Sequence, residues 1–310
     1  MNVDYSRLQI AASASSDLLI TSPFIKAPVL AQLLNGLKGR KITVVTRWRL
    51  NELSSGISDL DCFEIVTNAG GDFRLLNRLH GKYYRFGKRT FFGSANLTRM
   101  GMGLCPNPNL EILVENDFPI PAFEEAVLSE STLLTASDVH YYTAALANYQ
   151  RELLKAESPG KVLVDAQESF SEESPLNETL EKWYPHCRIP ESLYRYLRYN
   201  RSSFASSLTR HAEVDMAYLN LSECPYSLET FRLELACILK SDPVFRAVTE
   251  PIPKTGARFG LMRSHISDLY NISRTGATYI WQTWFRWILF TFPEEFTFDR
   301  PRHSEIIYRT

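Results

Sequence analysis

The sequence predicts a two-domain α/β protein, with a mixed sheet flanked by helices in the N-terminal domain and a mainly helical C-terminal domain. The chain has 310 residues, of which 45% are hydrophobic, so it can bury two cores. The first 116 residues alternate between strand-like and helix-like patterns, and the part from residue 182 onward does not. An acidic stretch with several Ser and two Pro separates them. We therefore expect domains over 1–156 and 182–310, joined by a linker over 157–181.

Apolar runs and helical spacing define the first elements. Residues 18–24 and 41–48 are apolar runs typical of strands, and residues 27–37 between them have helical spacing. Residues 50–60 are compatible with a helix. Residues 62–67 form another short apolar run, which we interpret as a strand. This alternation predicts a sheet covered by helices.

The next elements form a hairpin and a helical tail. Residues 82–86 and 90–92 are aromatic runs on either side of Gly87, a pattern that predicts a hairpin with a glycine at the turn. Residues 110–114 supply a further strand. From residue 121 to about 155 no strand pattern remains, and apolar spacing predicts one long helix or two successive helices.

In the C-terminal part, residues 227–239 and 264–270 have helical periodicity. Trp281, Trp284 and Trp287 recur every three residues on a predicted helix. Aromatic stripes of this kind usually serve packing, so we expect a core or a dimer contact rather than a stacking platform.

Composition excludes several classes of protein. The net charge is −1, and the most apolar window, residues 279–292, is too short and too polar to span a bilayer. The N-terminal residues lack the charged start and apolar run of a secretory signal. The five cysteines are scattered, and His186–Cys187 has no further ligands at metal spacing. We therefore expect a cytoplasmic protein with free thiols, no membrane partner, no metal and no other cofactor.

Positive charge is concentrated locally. No acid occurs between Asp17 and Glu52, where there are six basic residues, or between Asp72 and Glu111, where there are seven. Two such stretches predict a positive surface suited to phosphate. The residues that we expect to contact nucleic acid here are Arg47, Arg49, Arg78, Arg85, Lys88, Arg89 and Arg99.

The motif with the most reactive side chains lies within the second of these stretches. His80 and Lys82 are two residues apart, so on an extended strand they face the same side, and the returning strand of the hairpin can bring Ser94 and Asn96 beside them. An imidazole, an ammonium, a hydroxyl and an amide would then converge. Such a set suits a phosphodiester, because the imidazole can attack phosphorus while the other groups hold the non-bridging oxygens.

With these residues the sequence resembles the phospholipase D superfamily, whose signature is HxK, an Asp and then GSxN. The resemblance covers residues 15–116, about a third of the chain, and includes Asn109-Leu110-Glu111, which is similar to the superfamily's later NxE. It implies a phospholipase D-like sheet. It also implies that His80 is the nucleophile or acid, that Lys82 and Asn96 bind phosphate, that Ser94 assists and that Glu111 orients the imidazole.

Two features depart from the superfamily pattern. Gly87 stands where the Asp is usual, as in branches that include tyrosyl-DNA phosphodiesterases and restriction endonucleases of the BfiI type, so we expect a nuclease. Family sites use two HxK motifs, whereas this chain has one. We therefore expect a homodimer with both His80 side chains at one interface, acting without metal through a phosphohistidine.

The second domain has its own basic segments. Between residues 188 and 211, arginines alternate with tyrosines, a pattern that nucleic-acid backbones and unstacked bases favour, although a solvated helix with inward tyrosines fits equally well. We expect a target-recognition or nucleic-acid-binding module, and interpret residues 254–286 as a loop-rich phosphate-contact surface. The candidate nucleic-acid contacts of the first segment are Arg195, Arg198 and Arg201.

The main hypothesis is a DNA phosphodiesterase for restriction or anti-phage defence, with DNA expected rather than RNA. Two alternatives stay open. One is a phospholipase or phosphatidyltransferase of the same superfamily, and the other is a catalytically inactive nucleic-acid-binding protein. These residues identify no regulatory partner protein.

Overall fold

The chain has a mixed α/β fold with two compact units. The computed structural model describes residues 4–156, 180–198, 206–221, 227–300 and 305–310. The units are Met1–Asn148 and Tyr149–Thr310, and the division falls inside the helix Ala136–Ala156. The linker predicted over 157–181 lies outside the described residues except for its last two positions.

Seven strands of the first unit form one mixed sheet. They are β1 (Asp17–Thr21), β2 (Lys41–Thr46), β3 (Asp72–Leu75), β4 (Lys82–Phe86), β5 (Arg89–Gly93), β6 (Leu113–Asn116) and β7 (Thr132–Leu133). Their order is β6-β5-β4-β1-β2-β3-β7. The pairs β1/β2 and β2/β3 are parallel, and the other four pairs are antiparallel. The predicted hairpin is formed by β4 and β5.

Six helices accompany this sheet. They are α1 (Tyr5–Ser13), α2 (Ala27–Leu34), α3 (Leu50–Ser54), α4 (Cys62–Asn68), α5 (Pro121–Glu130) and α6 (Ala136–Ala156). Proline in the first turn starts α2 and α5, where its missing N–H costs no hydrogen bond. Two successive helices, α5 and α6, occupy the region predicted to hold one or two.

Both faces of the central strands are buried. Leu18 and Ile20 face one side, and Leu19 faces the other, where it packs with Val45 and Val127. Continuous apolar runs are typical of strands that are covered on both sides. The site at the start of β4 therefore rests on a sheet that is packed on both faces.

The prediction of a strand over residues 62–67 is wrong, because this run forms α4. Cys62, Val66 and Ala69 are buried at spacings of four and three, which is helical periodicity. Short apolar runs do not distinguish a buried helix from a strand. The strand parallel to β2 is instead β3, which carries Phe73 and Leu75 inward.

In the described residues, the second unit contains six helices and a small antiparallel sheet. The helices are α7 (Pro190–Arg198), α8 (Ser206–Leu219), α9 (Leu228–Lys240), α10 (Pro243–Thr249), α11 (Phe259–Tyr270) and α12 (Arg274–Thr291). The strands are β8 (Ala257–Arg258), β9 (Phe296–Asp299) and β10 (Ile306–Arg309), in the order β8-β10-β9.

The region predicted as loop-rich, 254–286, is mostly α11 and α12. Across the described ranges, none of the helices has the length and apolar character needed to cross a membrane.

The tryptophan stripe of α12 forms part of the core of this unit. Trp281, Trp284 and Trp287 are each at most 1% exposed. The indole N–H of Trp287 donates to the carbonyl oxygen of Cys187 at 2.8 Å, and that of Trp284 donates to the Tyr270 hydroxyl at 3.1 Å. The interpretation of this stripe as packing is therefore confirmed.

The His186–Cys187 pair has a structural role in the same core. Asp215 is fully buried, and its carboxylate accepts the backbone N–H groups of His186 and Cys187, each at 2.8 Å. The indole N–H of Trp183 donates to the same carboxylate at 3.2 Å. These donors compensate a charge that would otherwise be costly to bury.

Candidate phosphate site

His80 and Lys82 lie together at the start of β4. His80 is exposed, whereas Lys82 is buried to 9% exposure. The Lys82 ammonium donates to the His80 carbonyl oxygen at 2.8 Å and lies 3.4 Å from the imidazole Nε2. The residue between them is fixed by the Thr21 hydroxyl, which lies 3.5 Å from the Gly81 carbonyl oxygen. The predicted pairing of imidazole and ammonium is present within one chain.

The charges around this pair favour a neutral imidazole. The Lys82 ammonium, then burial, then the Arg47 guanidinium lower the pKa of His80 below its usual value. Burial lowers the pKa of Lys82, Arg47 lowers it further, and the Glu111 carboxylate acts in the opposite direction. A neutral imidazole has the free lone pair that a nucleophile needs.

Arg47 is held at the edge of the site. Its guanidinium is bound by both carboxylate oxygens of Glu52, one of them at 3.2 Å from Nε. It also lies 5.0 Å from the centroid of the Phe24 ring and donates to the Leu79 carbonyl oxygen at 3.4 Å. Arg47, which the sequence predicts to contact nucleic acid, therefore affects His80 mainly through the electrostatic field of its guanidinium charge.

A close approach between β5 and β6 positions Ser94. Lys82 is paired with Gly93 across the hairpin, so Ser94 follows directly at the end of β5. A Cβ at position 93 would lie 1.9 Å from the Ile112 carbonyl oxygen, so only glycine fits there. The Ser94 hydroxyl donates to the Glu111 carboxylate and accepts the Ile112 N–H at 3.0 Å.

Asn96 is anchored by residues that the sequence analysis did not single out. The Ser22 hydroxyl lies 3.2 Å from the Asn96 Oδ1, and it also accepts the Leu97 N–H at 3.2 Å. The Tyr84 hydroxyl donates to the Ala95 carbonyl oxygen at 2.6 Å. Ser22 directly follows β1, and polar residues at strand ends often carry function, which is the signal that could have identified it.

Glu111 does not contact the His80 ring in this structure. Its carboxylate accepts from Ser94 and from the Asn109 amide at 3.0 Å, and its described influence on the motif is on Lys82. Within one chain, the polar contact of the imidazole is with Lys82 instead. The orienting role that the resemblance implies for Glu111 is therefore not seen here.

Gly87 lies at the far end of β4. It occupies the hairpin turn with φ +62°, a conformation that glycine adopts without strain. Five residues separate it from Lys82, which at about 3.3 Å per residue is roughly 17 Å. A side chain at position 87 would not reach the imidazole, so the missing Asp removes no group from the site.

In the folded protein, carboxylates lie close to the basic residues of the two acid-free stretches. Arg78 pairs with Glu130, Arg89 pairs with Glu115, and Arg85 lies 3.3 Å from Asp17 and 3.1 Å from Glu124. Folding brings these carboxylates from outside the stretches. The positive surface predicted from local sequence is therefore partly neutralised.

The remaining candidate contacts differ in exposure. Arg49 is only 6% exposed and donates to the Asn77 side chain at 2.8 Å, so it does not belong to a surface. Lys88 and Arg99 are exposed, and neither forms an ion pair within the described residues. In the second unit, Arg195 is half-buried and Arg198 is exposed, both on α7, and Arg201 lies outside the described residues.

An apolar strip borders the site. Leu110, Ile112 and Val114 are spaced two apart and are 87%, 69% and 45% exposed, and Phe118 is 64% exposed. They lead into and follow β6, which is the edge strand of the described sheet. Exposed apolar patches of this kind mark interaction surfaces, and this one flanks Glu111.

Comparisons with known proteins add no relative. No family model matches the sequence, and no curated protein matches it. Within the described ranges, no group of three or more His, Cys, Asp or Glu side chains is placed to hold a metal ion.

Proposed function

We propose that the protein is a metal-independent phosphodiesterase that cleaves DNA through a phosphohistidine intermediate at a homodimer interface. The observation that carries this proposal is the exposed His80 imidazole, with a lowered pKa, beside the Lys82 ammonium. Lys82 forms no ion pair within the described residues, so its charge is available to a phosphate. The proposed fold of this half-site is that of the phospholipase D superfamily.

The groups present can carry out the reaction in two steps. An imidazole nitrogen of His80 attacks phosphorus, a P–N bond forms and the P–O bond to the leaving strand breaks. His80 of the partner subunit gives its proton to the departing oxygen. Water then attacks phosphorus, that second imidazole takes the proton from the water, and the P–N bond breaks. Each step balances without an added cofactor.

Lys82 and Asn96 hold the non-bridging oxygens during both steps. Because the Asn96 Oδ1 faces the Ser22 hydroxyl, the amide Nδ2 is left to donate toward the phosphate. Lys82 is buried and held by the His80 carbonyl oxygen, so its ammonium is positioned before substrate arrives. Preorganised donors of this kind stabilise the charge that develops on phosphorus oxygens.

The second histidine comes from a second copy of the chain. One chain supplies one HxK motif, and the apolar strip of Leu110, Ile112, Val114 and Phe118 lies beside it. Pairing two such strips about a two-fold axis would cover the strip and bring two half-sites to one interface. We place this homodimer in the cytoplasm, in restriction or anti-phage defence.

One observation favours a second candidate, a phospholipase or phosphatidyltransferase. An exposed apolar strip next to a phosphate site is also what an enzyme acting at a lipid surface would need. The neutralised arginines of the first unit point in the same direction, because they reduce its positive surface. Cleavage of phosphatidylcholine vesicles with no cleavage of plasmid DNA would reverse the order of the two candidates.

The test is cleavage of labelled plasmid, single-stranded DNA and RNA in excess EDTA. We expect His80→Ala to lower the rate by about a thousandfold or more while binding is largely retained. His140→Ala is the matched control, because His140 is an exposed histidine on α6, and it should cleave normally. The same preparations should sediment as dimers.

Two outcomes contradict the proposal. Loss of wild-type activity in EDTA would exclude the metal-independent mechanism. A strict monomer with full activity would exclude the shared site. If DNA binds but none of the three substrates is cleaved, the protein is a nucleic-acid-binding protein on this scaffold.

A further inference from the structure

A separate cavity of about 450 Å³, widely open to solvent, lies in the second unit. Arg263 contributes to it from α11, and the other lining residues lie on one face of α12 because they recur at helical spacing. This volume is within the range of sites that hold small organic ligands. The residues that line the cavity from α12 are Arg274, Thr275, Thr278, Tyr279 and Gln282.

The charge around this cavity is one-sided. Arg263 and Arg274 line the cavity. Two further arginines donate to Gln282 in its wall. Arg188 donates to the side-chain oxygen at 3.2 Å, and Arg286 donates to the backbone oxygen at 2.8 Å. Within the described part of this unit, none of these four arginines lies within ion-pair distance of a carboxylate. The ion pairs there are formed by other basic residues. The cavity wall therefore carries uncompensated positive charge.

The arginines also act on one another. Burial lowers the pKa of Arg286, and the neighbouring Arg188 lowers it further, while Glu305 acts in the opposite direction. Glu305 is itself bound to Arg300. An anion in the cavity would relieve this repulsion, because opposite charge favours the protonated guanidinium.

Hydrogen-bond donors in the cavity lack acceptors. The Nε of Arg263 is buried and has no hydrogen-bond partner in the described structure. The Oε1 of Gln282 is already engaged by Arg188, so its amide Nε2 is left as a donor. The N-terminal turn of α12, which begins at Arg274, adds partial positive charge. A ligand rich in acceptors and negative charge would satisfy these groups.

One aromatic side chain contributes to the lining and is only 9% exposed. The Tyr279 ring lies in the lining, with the Arg188 guanidinium 4.2 Å from its centroid. Arginine forks match the oxygens of phosphate, and the cavity volume exceeds the space that inorganic phosphate alone would fill. We propose that this cavity binds the phosphate of a nucleotide, either a free mononucleotide or the terminal nucleotide of a nucleic acid. The proposal does not depend on His80 or on cleavage.

Calorimetric titration of the full chain tests this proposal. The probes are adenosine 5′-monophosphate, adenosine, inorganic phosphate, and one oligodeoxynucleotide with either a 5′-phosphate or a 5′-hydroxyl. The oligonucleotides are titrated into His80→Ala protein so that no cleavage occurs. We expect the phosphate-bearing nucleotide to bind and adenosine to bind at least about tenfold more weakly.

Variants locate the binding. Arg263→Gln with Arg274→Gln should weaken nucleotide binding by about tenfold or more, because two charged donors are lost. Arg258→Gln is the matched control, since Arg258 is an exposed arginine on β8 outside the cavity lining, and it should bind normally. Circular dichroism of each variant shows that it is folded. Tighter binding of the 5′-phosphorylated oligonucleotide than of the mononucleotide assigns the site to nucleic-acid ends.

Three results would overturn the proposal. They are absence of binding by any phosphate-bearing probe, equal binding of adenosine and its monophosphate, and unchanged binding by the folded double variant. None of these measurements depends on catalysis. Their outcome therefore neither supports nor contradicts the phosphodiesterase proposal, which the cleavage experiment tests separately.

Discussion

The two units differ in whether their basic side chains are paired with carboxylates. In the first unit, arginines such as Arg78 and Arg89 lie in ion pairs, and Lys82 at the candidate site has no such pair within the described residues. In the second unit, Arg263 and Arg274 line a cavity with no carboxylate at ion-pair distance in its described part. Among its described side chains, the first unit therefore has an unpaired ammonium beside a histidine, whereas the second has several arginines around one cavity.

This difference shows that charge density along the chain is a poor guide to charge density in space. Arg78 and Glu130 are 52 residues apart, and Arg85 and Asp17 are 68 apart, so no local window contains both partners. The exposed pair of Arg78 and Glu130 adds little stability, but both pairs reduce the long-range field that would attract nucleic acid.

After loss of the His80 imidazole, removal of the Lys82 charge should have the largest effect. We expect Lys82→Ala to lower cleavage by at least about a hundredfold, because it removes the buried donor that holds the phosphate oxygens. Lys38→Ala is the control, since Lys38 is an exposed lysine of the first unit that is not among the expected nucleic-acid contacts, and its rate should be unchanged. The rates are measured on plasmid DNA in EDTA. Equal losses in both variants would mean that the first unit uses general positive charge.

Loss of a carboxylate partner should destabilise the first unit by an amount that depends on burial. Glu124 accepts from the Tyr83 hydroxyl and pairs with Arg85, whose side chain is 11% exposed. We expect Glu124→Gln to lower the free energy of unfolding by about 1–3 kcal/mol, because it leaves a mostly buried guanidinium with less compensation.

The comparison for that variant is Glu130→Gln, which breaks the exposed pair with Arg78. We expect this change to cost less than about 0.5 kcal/mol. Urea denaturation followed by circular dichroism measures both. A cost for Glu130→Gln as large as that for Glu124→Gln would show that burial does not decide the value of these pairs.

The smallest effect concerns the pKa of His80. Because Lys82 is the main cause that lowers this pKa, we expect Lys82→Met to raise it toward its usual value near 6.5. The wild-type imidazole should therefore stay neutral to lower pH. The cleavage rate should fall as the pH drops through the lowered pKa, because the attacking His80 becomes protonated, and it should also fall at higher pH, because His80 of the partner subunit then has no proton to give to the leaving oxygen. Titration of the imidazole C–H resonances by NMR measures this. An unchanged pKa in Lys82→Met, with Lys88→Met as control, would contradict the electrostatic account.

The sequence predicted the parts of the fold that depend on local pattern. The β4–β5 hairpin follows from two aromatic runs around Gly87, and the proximity of His80 and Lys82 follows from the two-residue period of a strand. The packing role of Trp284 follows from helical spacing. Each of these depends on residues close together in the chain.

Features that depend on distant residues were not predicted. A helix that begins at Cys62 replaces the predicted strand. In so short an apolar run, tertiary packing rather than the sequence pattern determines whether a helix or a strand forms. The anchoring of Asn96 by Ser22 and the burial of Arg49 against Asn77 also join segments that are far apart. The three-stranded sheet of the second unit was missed because β8 has only two residues.

The absence of a side chain at position 93 links two parts of the first unit. Glycine there lets β6 approach β5, with Ile112 O only 1.9 Å from where a Cβ would stand. A bulkier residue would push Ile112 outward and carry the neighbouring Glu111 and the apolar strip with it. Glycine at position 93 thus couples the geometry around Ser94 and Glu111 to the position of the apolar strip, so a bulkier residue there should displace both together.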